Sequence, residues 1–281
     1  MKTTNCMYLL FSLVFLPVIG FTQESNSKGS QKDEISASVN YQSVLHYFGR
    51  TDSLQSSGLF PSVGLQSRTG LYAQGNFIFV HNNSQPTTYT GTTIEAGYRF
   101  PQTDHFSGNL FYTQFLYKDK STLVQSALKS QTGINLNYLN KIVNINSGAD
   151  LKFSNQTDIG ATLGLDHLFL IPTGVEHTAF AIDPSVYAYA GTQKFTNTYL
   201  EKKNILGIPI SQQSTTSQVT QFNILSYEVS MPVVFVSGKF NASVTPSYTI
   251  PQNLVTVAGR PDLSERGKNL FYVTLGVGVK L

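Results

Sequence analysis

From Ile35 to the C-terminus the chain alternates apolar and polar residues with a period of two, and no stretch places apolar residues at the 3.6 spacing of a helix face. Between Val143 and Phe153 the residues Val143, Ile145, Ala149, Leu151 and Phe153 fall on one face. Asn144, Asn146, Gly148, Asp150 and Lys152 fall on the other. Ile159–Ile171 repeats the pattern, with Gly160, Thr162, Gly164 and Asp166 on the polar face. Further candidate strands are Ile35–Phe48, Leu59–Leu65, Leu71–Phe79, Ile94–Phe100, Phe106–Tyr117 and Val124–Tyr138. The remainder are Phe180–Ala190, Leu225–Val233, Phe240–Ile250 and Phe271–Leu281, giving about twelve. Several exceed the ~5–6 residues of an ordinary globular strand and reach the ~9–11 needed to cross a bilayer obliquely.

Charge placement sharpens the pattern. In this register Glu95, Arg99, Lys129, Asp150, Lys152, Asp166, Asp183, Glu228, Lys239 and Lys280 all fall on the polar face. The apolar face is a charge-free band, as contact with lipid requires, because Lys or Arg at mid-bilayer costs about 2–4 kcal/mol. A second protein layer, as in a sandwich, would leave the strand lengths unexplained.

Connections alternate between two kinds. Ser67–Gly70, Pro101–His105, Leu139–Lys141, Pro172–Glu176 and Val236–Lys239 carry turn chemistry. Arg50–Ser56, His81–Thr88, Lys118–Ser121, Ser154–Thr157, Gln193–Gln221 and Gln252–Gly267 fall at the opposite end. The fold expected is all-β: a transmembrane, antiparallel up-and-down β-barrel of about twelve strands, with both termini on the short-turn, periplasmic side. Pro61, Pro184, Pro232 and Pro246 lack a ladder donor within strands, which predicts bulges there.

The N-terminus supports export. Lys2 precedes the apolar stretch Tyr8–Ile19, and Gly20-Phe21-Thr22 supplies small residues for a peptidase acting before Gln23. Residues 1–22 read as a signal peptide, 23–33 as a flexible polar leader, and 34–281 as the barrel. The single cysteine, Cys6, leaves with the signal, so no disulfide stabilises the mature chain. Charged residues make up only 12%, the formal charge is +3, and no basic run marks a nucleic-acid surface. With 41% apolar residues, a polytopic helical protein is excluded.

The signal end Gly20-Phe21-Thr22-Gln23, the segments Ile182–Thr192 and Val244–Pro251, and the closing strand Asn269–Leu281 together resemble outer-membrane β-barrel proteins of the Bacteroidetes type, a porin-like family without an assigned activity. The resemblance implies fold and location, the outer membrane of a Gram-negative bacterium, and supplies no catalytic residues. Its partners would be outer-membrane lipid and the barrel-assembly machinery, reached through the C-terminal strand. Leu281 stands where many such barrels end in Phe.

No metal-ligand spacing, phosphate-binding glycine loop or nucleophile elbow is present, and no cofactor is expected. A Ser/His pair on the outer wall is the one enzymatic arrangement to weigh. His46 has Ser43 nearby but no partner motif, while His167 falls toward the short turns, so no enzyme is expected.

The candidate lumen charges are Glu95, Arg99, Lys129, Asp150, Lys152, Asp166, Asp183 and Glu228. Counting from the Pro172–Glu176 turn sets Asp166 opposite Asp183, a pair able to share a proton or bind a cation unless each finds a basic partner. The same counting sets Lys129 level with Asp150. With Lys239 and Lys280 included, the bore carries five charges of each sign, which predicts little ion selectivity. Tyr72, Tyr187, Tyr189 and Tyr272 are candidate lumen aromatics, filling space beside glycines such as Gly191, Gly276 and Gly278. Phe48, Tyr98, Phe100 and Tyr138 would contribute to aromatic girdles.

Two functions follow from this reading. One is a porin-like passive channel for small polar solutes, with Gln193–Gln221 and Gln252–Gly267 as surface loops. The other is a non-conducting barrel acting as a surface-exposed binding protein or a structural subunit of an envelope complex.

Overall fold

The computed structural model describes residues 33–52, 54–118, 127–194, 220–255 and 265–281. The expected signal peptide 1–22, the expected leader 23–33 except Asp33, and most of Gln193–Gln221 and Gln252–Gly267 lie outside the described residues.

The first seven barrel strands are β1 (Glu34–Gln42), β2 (Ser57–Gln66), β3 (Leu71–Asn82), β4 (Gln85–Arg99), β5 (Phe106–Tyr117), β6 (Ser130–Tyr138) and β7 (Asn144–Phe153). Three strands follow that are each interrupted once. They are β8 (Thr157–Asp166 and Phe169–Pro172), β9 (Thr178–Ile182 and Ser185–Gly191) and β10 (Asn223–Ser230 and Val233–Ser237). Strands β11 (Phe240–Pro251) and β12 (Leu270–Lys280) complete the wall. Each strand pairs antiparallel with its sequence neighbours, and β12 pairs with β1 from Ser36↔Lys280 to Gln42↔Thr274. The result is a closed, twelve-stranded antiparallel barrel. Closure leaves no exposed sheet edge.

Alternation places residues on the two faces as the sequence requires. Val63, Leu65, Leu71, Ile94, Leu163 and Val277 project outward and are about half exposed or more. Among the described residues, every charged side chain within the twelve strands has inward parity. At the short-turn end Tyr98 meets Phe100, and Phe106 meets Tyr138, consistent with a girdle. Glycines enter the turns where the backbone is left-handed, as at Gly70 (φ 94°) and Gly174 (φ 78°).

The prolines behave differently from expectation. Pairing of β8 with β9 stops at Asp166↔Ser185 and resumes at Phe169↔Ile182 without gaining or losing a residue. The same holds between β9 and β10, and between β10 and β11. Pro184, Pro232 and Pro246 therefore mark gaps in the ladder rather than bulges, because a missing N–H removes a bond but adds no residue. Pro61 within β2 does the same against β3, where pairing passes from Leu59↔Phe79 to Ser62↔Asn76 in one register. The bulges fall elsewhere, at Ile78/Phe79 and Val80/Asn82 against β4 and at Tyr189/Ala190 against β10.

A second departure concerns the first connection. The expected strand Ile35–Phe48 ends at Gln42, and the following segment turns into the bore. It contains a short antiparallel ribbon pairing His46 with Thr51 and Tyr47 with Arg50. Conversely, His81–Thr88 is no loop. β3 and β4 continue to a tight turn at Asn83-Ser84, with Asn82 facing Gln85.

Candidate functional site

The inner face of β1–β6 is lined by amides and hydroxyls. Ser38 Oγ and Ser62 Oγ lie 2.6 Å apart, and Asn76 Nδ2 donates to Thr93 Oγ1 at 3.0 Å. A cavity of about 130 Å³ extends along this wall, from Glu34 and Lys280 at the short-turn rim to Phe115 and Gln131. At the rim, Lys280 Nζ lies 3.2 Å from Glu34 Oε2.

One charged network borders the cavity. Tyr72 Oη donates to Glu95 Oε1 at 3.0 Å, Thr113 Oγ1 donates to Glu95 Oε2 at 2.8 Å, and Asn109 Nδ2 donates to Tyr72 Oη at 3.0 Å. The Arg99 guanidinium stands 5.0 Å from the Tyr72 ring centroid. Tyr72 lies flat because Gly97 beneath it has no side chain; an added Cβ would overlap the ring. Tyr187 rests on Gly164 in the same way. Expected neighbours Gly276 and Gly278 instead sit against Asn40, Ser243 and Asn241.

The opposite wall, β7–β10, is acidic. Lys152 Nζ donates to Asp150 Oδ2, and both side chains are buried. Asp158 is fully buried and accepts from Thr192 Oγ1 and the Lys194 amide, each at 2.6 Å. Asp166 accepts from Asn144 Nδ2 at 2.7 Å and from Asn146 Nδ2. The strand register sets Asp166 opposite Ser185 rather than Asp183, because the β8–β9 hairpin turns one residue later than the counting assumed; Asp183 lies one inward position away on the diagonal, and the two carboxyls still interact. Glu228 accepts from Thr249 Oγ1 at 2.7 Å and Tyr272 Oη at 3.1 Å. Tyr187 and Tyr189 stack inside with centroids 6.1 Å apart. All four expected tyrosines thus face the bore.

The expected charge balance does not survive. Lys129 precedes β6 and is exposed at the loop end, where its Nζ donates to Asn155 Oδ1. Gly133, not Lys129, faces Asp150. Lys239 occupies an exposed turn tip, and Lys280 is held at the rim. Along the two walls this leaves Arg99 and Lys152 facing Glu95, Asp150, Asp158, Asp166, Asp183 and Glu228 among the described residues. The bore is acidic.

The first connection fills much of the loop-end half. Leu45 packs with Phe60, Ile78 and Val80, while Tyr47 packs with Phe115 and Leu128. These inward apolar residues of β2, β3 and β5 break the polar lining because they receive this segment rather than water. Phe48, expected on the outer girdle, lies inside with its ring 5.1 Å from Tyr189 and 5.9 Å from Lys152 Nζ. His46 likewise is internal, 4.4 Å from the Tyr272 ring. Burial pushes its imidazole down to about 4. His167, by contrast, stays on the outer wall, against Phe169.

Arg50 fastens the segment. It is 1% exposed, and its Nε lies 3.0 Å from Glu265 Oε2. Its two terminal nitrogens donate to the carbonyls of Phe48, Leu225, Gln252 and Asn253. Glu265 Oε2 also accepts from the Val255 amide at 2.8 Å. Sequence reading missed Arg50, Glu265 and Asp158. A usable signal for the segment was present, since Val44-Leu45-His46-Tyr47-Phe48 abandons alternation, as a stretch buried on all sides does.

No family model and no curated protein matches the chain. Among solved structures it resembles an outer-membrane channel from Pseudomonas putida F1 at 12% identity and a TM-score of 0.49, covering 92% of this chain and 100% of that one. It also resembles a NanC porin at 11% identity and a TM-score of 0.46, covering 88% and 100%. A KdgM porin gives 9% identity and a TM-score of 0.45, covering 87% and 98%.

Proposed function

We infer that the chain is an outer-membrane β-barrel of the Bacteroidetes type that acts as a porin-like passive channel for small polar solutes. The observation that carries this reading is the contrast between faces. A charge-free apolar exterior encloses a polar interior with a cavity of about 130 Å³. Residues 43–56 serve as its internal constriction. Both termini lie in the periplasm, and the C-terminal strand, which closes the wall against β1, is the segment offered to the assembly machinery.

Location and conduction are tested separately. The protein should fractionate with the outer membrane and show heat-dependent mobility on SDS gels; a soluble periplasmic pool would refute the barrel in lipid. In planar bilayers the purified barrel should give step-like conductance that rises when the constriction is loosened. The buried Arg50 and the aromatic packing around Tyr47 favour a second reading, a non-conducting barrel serving as a surface-exposed binding protein or envelope subunit. Silence from a correctly folded barrel, both native and with residues 43–56 replaced by a short flexible turn, would establish it.

A further inference from the structure

We propose that Asp166 and Asp183, in the β8–β9 part of the wall, bind a hard, oxygen-preferring divalent cation of the calcium class. Their side chains meet inside the barrel, and the residues are only 3% and 5% exposed. Two carboxylates in contact and out of water repel each other unless a positive charge joins them. Among the described residues neither makes an ion pair. Asp183 Oδ1 has no hydrogen-bond partner.

Two further observations point to a ligand. Tyr187 is 4% exposed, its hydroxyl also lacks a partner, and it interacts electrostatically with both carboxylates. The second lies in the backbone. At the ladder gaps the His167 amide donates to the Pro184 carbonyl, Asp183 to Pro232, and Met231 to Pro246. In an antiparallel pair the partner amide returns the bond. Here each partner is proline, so the carbonyls of His167, Asp183 and Met231 lose that donor at one level of the wall. A carbonyl without a donor at membrane depth is costly.

The donor set selects the metal class. Carboxylate, carbonyl and hydroxyl oxygens suit calcium, which accepts about six to eight oxygens in flexible geometry, better than magnesium with its strict octahedron. Ser185 and Ser230, whose hydroxyl oxygens lie 2.8 Å apart, add oxygen at the next inward position. Among the described residues no three His, Cys, Asp or Glu side chains are placed to hold a metal ion together, so the ion would have two carboxylates and the site would be weak. A dissociation constant of about 0.1–1 mM follows, the range of extracellular calcium modules. Asn144 and Asn146 hold the Asp166 carboxylate in place from the neighbouring strand, orienting it for the ion. The site belongs to the wall and holds whether or not the bore conducts.

The test uses the full barrel refolded without lipopolysaccharide, stripped with chelator and titrated in detergent with calcium chloride. About one saturable Ca²⁺ per chain is expected. Terbium provides a second readout, because the chain has no Trp and sensitised emission must come from tyrosine. Asp166→Asn/Asp183→Asn should abolish calcium binding and sensitised emission while keeping heat-dependent gel mobility. Tyr187→Phe should lower the emission several-fold while calcium stoichiometry is kept. If the double variant does not fold, Asp183→Asn alone should weaken binding about tenfold or more. Absence of saturable calcium binding to the folded native barrel would overturn the proposal, leaving the pair to share a proton. Undiminished binding in the folded asparagine variants would overturn it equally, placing the ion elsewhere. Neither outcome bears on conductance, so failure here is distinct from failure of the channel.

Discussion

The two walls of the bore share one alternation but answer different problems. Along β1–β6 one short gap at Pro61 interrupts the ladder, and hydroxyls and amides border a cavity with Glu95 and Arg99 as its charged network. Along β7–β10 the ladder is broken at three prolines, acids predominate, and Tyr187 and Tyr189 fill the space. A period of two determines only which side a residue faces. Whether that side is wet, packed or coordinated depends on what crosses the bore, and residues 43–56 touch both walls.

Breaking the crossing segment should have the largest effect. Arg50→Met removes the guanidinium and leaves Glu265 as a buried, uncompensated carboxylate, a loss of about 3–5 kcal/mol for truncating one partner of such a pair. The segment should leave its site, seen as protease cleavage within 43–56 in an otherwise folded barrel. Resistance equal to the native protein would show that the apolar contacts of Leu45 and Tyr47 suffice.

A matched pair of glycines distinguishes packed from open positions. Gly164→Ala drives a methyl into the Tyr187 ring and should cost about 1–3 kcal/mol by overpacking. Gly75→Ala, on the outer face of β3 with nothing near the added carbon, should stay within about 0.5 kcal/mol of the native barrel. Denaturant unfolding in detergent or lipid measures both. Equal values would mean that the acidic wall is as loosely filled as the exterior.

Acid should loosen the same segment gradually. His46 has no partner at Nε2, and burial holds it neutral down to about 4. Above the unperturbed value of about 6.5 the packed and released forms are both neutral, and docking is complete. As pH falls from about 6.5 toward 4, the released form binds a proton that the packed form refuses, so docking weakens by about 1.4 kcal/mol per pH unit. Protease access to residues 43–56 should therefore rise across that window in the native protein. In His46→Phe, which keeps a ring over Tyr272, the rise attributable to this group should vanish.

Much of this architecture is legible in the sequence because parity needs no knowledge of tertiary contacts. Counting from one turn brings Asp166 and Asp183 near each other but misses the register by two residues, since Asp166 faces Ser185; Tyr72 and Tyr187 could be aimed inward. Phe111 and Phe115 could not be assigned that way, since both faces of β5 are apolar; Phe115 faces inward against Tyr47, and Phe111 against the bare backbone of Gly133. Arg50 and Glu265 are 215 residues apart and join two connections, where no periodicity operates. Lys129 had the correct parity but the wrong height, because alternation gives direction without depth.

That missing depth governs the smallest expected effect, ion selectivity. Counted by parity alone the bore is neutral, but with Lys129, Lys239 and Lys280 moved to the rims the interior carries an excess of carboxylates. Among the described residues of the walls, six acids face Arg99 and Lys152, while Arg50 is balanced by Glu265; this excess should favour cations, measured as a reversal potential in a potassium chloride gradient. Glu228→Gln changes no packing, because Thr249 and Tyr272 already donate to that group and a carboxamide oxygen can accept from both. It should shift the reversal potential toward zero. Lys129→Gln, at an exposed rim screened over about 8–10 Å at physiological salt, should shift it far less. Equal shifts from the two variants would mean that rim and interior charge contribute alike, and that the acidic wall lies apart from the conducting path.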